Sequence, residues 1–230
     1  MIFNYVDIGV CDFETSLDKQ NVAAGETVLL VEPVVQFLEA LPNPPGVVKV
    51  CAAITATGED CSIFHVSTEA IERYNMPFWT RGCSRLRQPH QGVLGWLQGQ
   101  GINFTQALDR RIFQMLHCHG LTFQQLCDNQ AIEKIVHLKI DTEGCDHEVL
   151  AAVYEVLASK RLPLIESIRF ERYGHNTFDY CDDPYGNCDR LDELALQFKN
   201  TWGYEIDPPV GPGEEPKVAD ITMRLPRSGI

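Results

Sequence analysis

The sequence predicts an α/β fold in which a mostly parallel, doubly wound sheet carries helices on both faces. Apolar strand-like runs alternate with helical segments along most of the 230 residues, a pattern typical of parallel strands joined by helices. The chain ends differently, because strand-like runs at 203–207 and 217–225 flank a loop rich in proline and glycine. We therefore expect a seven-stranded sheet whose C-terminal edge is closed by an antiparallel hairpin.

Three early and central strands justify this expectation most directly. Residues 2–8, 27–32 and 135–140 are mostly apolar, and each strand ends at an acidic residue, namely Asp7, Glu32 and Asp141. A helix is predicted over 146–159, where apolar residues recur at i, i+3, i+4, i+7 and i+8. The other expected elements are a helical turn at 11–20, helices at 34–41, 123–129 and 190–201, and strands at 47–54, 61–66 and 164–170.

Residues 67–120 show no sustained period, although 111–119 alternates enough to predict one extra strand. A long irregular insertion in a compact domain is typical of a lid or binding loop. We therefore expect one domain, 1–230, with 67–120 covering the site. Trp79, Arg81 and Ser84 in this insertion are candidates for contacts with a ligand, or equally for a small satellite core.

Composition narrows the classes of partner. The net charge of −13 disfavours nucleic acid, because phosphate binding depends on clustered Lys and Arg. Arg81, Arg85 and Arg87 form a local basic cluster that could hold an anionic group. No run approaches about 18 uninterrupted apolar residues, so no membrane span is expected, and no signal peptide is visible at the N-terminus.

The nine cysteines have no framework-like spacing, which favours reduced thiols and a cytoplasmic location. Cys181 and Cys188 flank an acidic loop and are the pair considered for a bridge or a metal site, but a two-cysteine loop lacks the remaining ligands of a zinc site.

Three sequence blocks carry a family resemblance: Val6-Asp7-Ile8-Gly9, Val31-Glu32-Pro33 and Leu138-Lys139-Ile140-Asp141-Thr142-Glu143-Gly144. With a weaker fourth block at 168–171, they make the chain similar to the FkbM-type methyltransferases, which methylate hydroxyl groups of sugars and other natural products. The resemblance covers roughly 5–66 and 120–172. One departure stands out, since the segment after Gly9 lacks the second glycine usual in that family and carries Phe13 instead.

The resemblance implies a Rossmann-like class I methyltransferase fold that binds S-adenosyl-L-methionine. It assigns cofactor contacts to six residues: Asp7, Gly9, Asp12, Glu32, Ala52 and Asp141. Glu32 also has an independent rationale, because a carboxylate at the end of the second strand accepts hydrogen bonds from ribose hydroxyls. A plain turn at Asp7–Gly9 and a solvated Glu32 are the alternatives.

Methyl transfer to an alcohol needs a base, or a cation that lowers the hydroxyl pKa. Glu143 is the candidate base, with Asp141 in the same cluster and His175 as a further candidate in the loop after Glu171. Asp141 and Glu171 are candidate oxygen ligands for a divalent cation such as Mg²⁺. Alternatively, the carboxylates bind water, cap the following helix or pair with Lys139, and Asp146 is a first-turn or N-cap acid.

The expected function is therefore an S-adenosylmethionine-dependent O-methyltransferase that acts on a sugar or glycan hydroxyl. Two other classes stay open: a nucleotide-dependent enzyme of a different kind on a Rossmann-like fold, and an inactive module that only binds S-adenosylmethionine. The lack of a three-glycine pyrophosphate loop argues against the first of these.

Overall fold

A computed structural model describes residues 1–12, 17, 25–172, 187–210 and 219–226 of the chain. The strands are β1 (Ile2–Ile8), β2 (Val28–Val31), β3 (Val47–Val50), β4 (Ala53–Ile54), β5 (Cys61–Val66), β6 (Arg85–Leu86), β7 (Phe113–Cys118), β8 (Gly120–Leu121), β9 (Lys134–Ile140), β10 (Ser167–Arg172), β11 (Glu205–Asp207) and β12 (Ala219–Arg224). The helices are α1 (Val35–Ala40), α2 (Thr68–Tyr74), α3 (Gln91–Gly99), α4 (Phe104–Asp109), α5 (Phe123–Asn129), α6 (Asp146–Ala158) and α7 (Asn187–Trp202), with a 3₁₀ helix at Phe78–Arg81.

The main sheet has seven strands in the order β3-β2-β1-β9-β10-β12-β11. The first five run parallel, and β12 is antiparallel to both β10 and β11. The mostly parallel sheet with an antiparallel pair at one edge, predicted from the sequence, is thus confirmed at this level. Because β1 and β9 lie at the centre, the residues that follow them meet in the middle of one sheet edge.

The strand register aligns the carboxyl ends of the parallel strands. Ile8 is paired with Val31 on one side and with Ile140 on the other, and Ile140 is paired with Phe170. The next residues along these strands are Gly9, Glu32, Asp141 and Glu171, which therefore form one row across the edge of the sheet. This row is the physical basis of the candidate site.

Packing explains why these segments are strands and helices. All four residues of β2 are buried, as expected for an interior parallel strand. The apolar stripe of α6 buries Val149, Leu150, Val153, Val156 and Leu157 against the sheet. The predicted helix at 123–129 is confirmed as α5, and it starts at a capping box in which Thr122 and Gln125 exchange hydrogen bonds.

The structure corrects two of the strand predictions. The expected strand at 47–54 is split, because β3 ends at Val50 and β4 pairs with β8 in a separate two-stranded sheet. The strand expected at 164–170 lies at 167–172, where its pairing with β12 extends to Arg172. Glu171 is therefore the second-last residue of β10 rather than a residue beyond it.

The insertion is more ordered than its sequence predicts. Residues 68–118 contain three short helices, a 3₁₀ helix and two strands that complete the antiparallel sheet β6-β5-β7. Its helices have six to nine residues, too few turns to show a sustained apolar period. A separate core holds it together: Val66, Ala70, Met76, Cys83, Val93, Leu97, Ile102, Ala107, Ile112 and Phe113.

Two other predictions lie mainly or wholly outside the described residues. The helical turn at 11–20 is described only at residues 11, 12 and 17, and the loop that contains His175 and Cys181 is not described. Within the described ranges, the helices are too short or too polar to meet the requirements of a membrane-crossing segment.

Candidate functional site

A cavity of about 310 Å³ lies at the carboxyl edge of the parallel strands. One flank is apolar, with side chains from α1, β4, β5 and β6, including Phe37, Ile54, Ile63 and Leu86. The opposite flank is acidic and comes from the residues around the ends of β9 and β10. Of the predicted site residues, the cavity wall includes Gly9, Glu32, Ala52, Asp141, Glu143 and Glu171.

Glu32 is held in a fixed orientation at the end of β2. It is 4% exposed, and its two carboxylate oxygens accept N–H groups from Val34 at 2.8 Å and from Cys11 at 3.0 Å. These bonds join the loop after β1 to the start of α1. A carboxylate has about four acceptor directions, and the backbone N–H groups of Val34, Cys11 and Val10 use three of them. Glu32 can therefore still receive a hydroxyl group from a ligand in the cavity.

Burial raises the pKa of Glu32 to about 7, although the backbone N–H groups of Val34, Cys11 and Val10 favour its charged form. Because the native state holds this proton more tightly than the unfolded chain, its contribution to native stability is lost as pH rises from about 4.5 to 7. We predict that the free energy of unfolding falls by about 3 kcal/mol over this window through Glu32 alone.

Urea unfolding at a series of pH values checks this prediction. Glu32→Gln should reduce the dependence of the unfolding free energy on pH. Glu39→Gln, a change on the exposed face of α1, should leave that dependence unchanged. Burial also raises the pKa of Asp146, which makes the unfolding free energy fall with pH in the same direction. Part of the pH dependence therefore remains in Glu32→Gln. If Glu32→Gln and the wild type showed the same pH dependence of the unfolding free energy, Glu32 would not be the group that holds this proton in the native state.

Gly9 lies where the chain leaves β1 and passes closest to β9. Its φ is +79°, and a Cβ on Gly9 would lie 1.8 Å from the carbonyl oxygen of Asp141. The N–H of Gly9 donates to Val31, and the N–H of Asp141 donates to Ile8, both at 2.9 Å. Only glycine fits this close approach to Asp141, because it has no Cβ. Gly9 therefore shapes the turn after β1 and leaves its own backbone accessible from the cavity.

Asp141, Glu143 and Glu171 form a compact acidic cluster. One carboxylate oxygen from each lies within 4.8 Å of the others. Lys139 lies two residues before Asp141 and its Nζ is 2.9 Å from Asp141 Oδ2, so the pairing weighed from the sequence is present. Lys139 and the buried Arg85 guanidinium, which lies beside Gly144, offset part of the negative charge of the three carboxylates. The remaining negative charge suits a cation or a cationic ligand.

Asp146 organises the loop that presents Glu143. Its carboxylate accepts the Thr142 hydroxyl at 3.1 Å and the Gly144 N–H at 3.2 Å, on either side of Glu143. Glu143 itself has a φ of +52°, an uncommon conformation for a residue with a side chain. Asp146 is the first residue of α6, as weighed from the sequence, while the N-cap position belongs to Cys145. Burial raises the pKa of Asp146 to about 7.

One residue of the site, His90, was not predicted, because no motif or periodic pattern in the sequence points to it. This side chain is fully buried at the N-cap position of α3, and its Nε2 lies 3.1 Å from Glu143 Oε2. Burial, aided by the nearby Arg85 guanidinium, lowers the pKa of His90 to about 3. The ring is therefore neutral near pH 7, and the contact is a hydrogen bond to the Glu143 carboxylate rather than an ion pair.

The basic cluster of the insertion is engaged with acidic groups of the domain itself. Arg81 Nε donates to Asp12 at 2.8 Å, and this pairing lowers the pKa of Asp12. Arg87 is bonded to Glu148 on α6, with one contact at 3.0 Å. Together with His90, these contacts attach the insertion to the sheet edge. Arg81 and Arg87 thus have internal carboxylate partners.

The other residues predicted for the site divide into those that line the cavity and those that do not. Asp7 is 1% exposed inside β1, and it is not among the residues that line the cavity. Asp12 is also absent from the wall and is bonded to Arg81. His175 lies outside the described residues. Trp79 and Ser84 do line the cavity, and Trp79 is 46% exposed at its mouth.

Comparisons of this chain with protein-family models, with curated proteins and with solved structures found no match.

Proposed function

We propose that this protein is an S-adenosylmethionine-dependent O-methyltransferase that acts on a sugar or glycan hydroxyl, in a Rossmann-like class I methyltransferase fold. The observation that carries the proposal is that Glu32 and Glu143 line the same cavity at the carboxyl edge of the parallel strands. Ligands of open α/β sheets bind at this edge. A mostly parallel seven-stranded sheet with an antiparallel pair at one edge is also compatible with the arrangement of that methyltransferase class.

The order of the strands matches the order of the parts of an adenosyl donor. Ala52 and Ile54 follow β3 and offer an apolar surface for a base, Glu32 follows β2 and suits a ribose, and Gly9 follows β1. Neighbouring strands are about 4.8 Å apart, so Glu32 and the end of β9 are separated by roughly 10 Å. This spacing suits the distance from a ribose to the methionine end of the donor.

Charge supports the same assignment. The methyl donor carries a positive sulfonium, and in the proposed binding mode this group lies beside the acidic cluster of Asp141, Glu143 and Glu171. The apolar flank around Phe37, Ile63 and Leu86 suits the uncharged base at the other end. A cavity volume of about 310 Å³ lies at the lower limit of small-molecule sites, about 300–1,000 Å³.

Glu143 is the proposed general base. As the acceptor oxygen forms its bond to the methyl carbon, the bond from that carbon to sulfur breaks and its electron pair stays on sulfur. The hydroxyl proton passes to the Glu143 carboxylate, so the products are an ether, a neutral thioether and a protonated Glu143. Neutral His90 holds the carboxylate in place through its 3.1 Å hydrogen bond.

Trp79 supports a carbohydrate as the acceptor. Its ring is half exposed at the mouth of the cavity, on the 3₁₀ helix that Arg81 ties to Asp12. Aromatic faces stack on the apolar faces of sugar rings, so the exposed Trp79 ring in the cavity wall suits an acceptor sugar whose hydroxyl enters the cavity. In this arrangement the acceptor lies between Trp79 and the acidic cluster, and the donor lies next to the acidic cluster.

A divalent cation is the second part of the proposal. The oxygen-only donor set of Asp141, Glu143 and Glu171 fits a hard cation such as Mg²⁺, with Asp141 and Glu171 as its ligands. When bound, such an ion lowers the pKa of a hydroxyl group. The Lys139 contact with Asp141 supplies one positive charge to the same cluster and competes with this role.

Isothermal titration calorimetry with S-adenosylhomocysteine tests the proposal. At pH 8, above the pKa of Glu32, we expect binding by the wild type and about 100-fold weaker binding by Glu32→Ala, because a hydrogen bond to a charged group is lost. Glu39→Ala is the matched control on α1 and should bind like the wild type. Titrations with Mg²⁺ and with EDTA present test the cation.

ATP and NAD⁺ serve as competing ligands in the same titrations. Tight binding of either one, without binding of S-adenosylhomocysteine, would assign the cavity to another nucleotide-dependent class. A thermal melt of each variant separates loss of the ligand contact from loss of the fold, because Glu32 also holds the Val34 and Cys11 backbone.

A further inference from the structure

We propose that Cys61 and Cys118 form an oxidation-sensitive pair that closes into a disulfide at the base of the insertion. Their Sγ atoms lie 3.5 Å apart, and the two residues are direct partners in the antiparallel pairing of β5 with β7. This inference is independent of the proposed methyltransferase activity.

The backbone already has the spacing that a disulfide needs. Directly opposed residues of an antiparallel pair have Cα atoms about 4.5–5.5 Å apart, and disulfides join Cα atoms about 4.4–6.8 Å apart. The Cys118 thiol donates to the Cys61 carbonyl at 3.3 Å, which holds its sulfur over the neighbouring strand. A small rotation about the side-chain torsions therefore brings the two sulfurs to bonding distance.

The two thiols have different exposure, which sets the order of the steps. Cys61 is half-buried, whereas Cys118 is 6% exposed and burial raises the pKa of its thiol to about 12. Cys61 is therefore the thiol that meets an external oxidant first, since the thiolate is the reacting form and needs access.

The chemistry balances with oxidised glutathione as the oxidant. The Cys61 thiolate attacks one glutathione sulfur, forms a mixed disulfide and releases one glutathione. The Cys118 sulfur then attacks the Cys61 sulfur and releases the second glutathione. The two thiol protons end on the two released glutathiones, so two cysteines are oxidised and one glutathione disulfide is reduced.

The position of the pair gives the bridge a structural consequence. Cys61 is the first residue of β5 and Cys118 the last residue of β7, so a bond between them closes the whole insertion into one loop. That loop contains the cavity residues Ile63, Trp79 and Leu86, together with His90. Oxidation would thus fasten the insertion at the point where it leaves the main domain.

Incubation of the full chain with oxidised glutathione, followed by tandem mass spectrometry, tests the proposal. We expect a loss of two hydrogens and a peptide link between Cys61 and Cys118. The Cys51→Ser variant removes an exposed neighbouring thiol and should give the same link. The Cys118→Ser variant should instead keep glutathione on Cys61.

A thermal melt of the oxidised protein supplies the second readout. Closing a loop of this length should raise the melting temperature by about 10 °C, and reduction should reverse the rise. Cys118→Ser should show no rise. A wild type that keeps glutathione on Cys61, links Cys61 to another cysteine, or retains both thiols while Cys51 reacts would overturn the proposal.

Discussion

The Glu143→Gln variant is expected to bind S-adenosylhomocysteine nearly as well as the wild type and to lose about 10²–10⁴-fold in methyl transfer. Glutamine keeps the shape of the side chain and still accepts the His90 hydrogen bond, but it cannot take a proton from the acceptor hydroxyl. Transfer of a labelled methyl group from S-adenosylmethionine to a panel of monosaccharides and glycans measures the loss. Calorimetry measures the binding.

The control for this change is Glu155→Gln, which makes the same substitution on an exposed position of α6. It should leave both binding and turnover unchanged. Full activity of Glu143→Gln would remove Glu143 as the base. An equal loss of binding and turnover would show instead that its charge serves to hold the donor, as part of the acidic cluster.

The Gly9→Ala variant is expected to lose at least about 100-fold in affinity for S-adenosylhomocysteine. The added Cβ would lie 1.8 Å from the Asp141 carbonyl oxygen and 2.6 Å from its carbon, so the ends of β1 and β9 must move apart. This movement shifts the backbone that borders the cavity and the loop that carries Glu143. Calorimetry gives the affinity, and a thermal melt gives the accompanying loss of stability.

Gly203→Ala is the matched control, because Gly203 has a φ of +77° and no atom within 4 Å of the added Cβ. Gly203→Ala therefore introduces a side chain at a similar positive φ, but its Cβ does not collide with a neighbouring atom as the Cβ of Gly9→Ala does. We therefore expect a modest loss of stability and unchanged affinity for Gly203→Ala. If the two variants behaved alike, the close approach of Gly9 to Asp141 would have no role in the site.

The sequence was most informative where single buried strands end. The runs before Gly9, Glu32 and Asp141 are mostly apolar, and their strand assignments are confirmed. Once parallel strands pair, the residues that follow them lie at the same edge of the sheet, so their proximity could be predicted from the strand assignments alone. The helix at α6 was equally clear, since it has 13 residues and a full apolar stripe.

The parts of the site that the sequence did not predict all involve the insertion. The bond between His90 and Glu143 joins residues 53 positions apart, and that between Arg81 and Asp12 joins residues 69 positions apart. Neither pair belongs to a local motif, and the short helices between them leave no periodic signal. Such contacts follow from how the insertion packs on the sheet edge, which depends on its separate core.

The most direct test of the central claim is a crystal structure of the protein with S-adenosylhomocysteine. We predict that the ribose hydroxyls lie within hydrogen-bond distance of the Glu32 carboxylate, and that the sulfur faces Glu143 across the cavity. The ligand bound elsewhere, or bound here with its ribose away from Glu32, would contradict the claim.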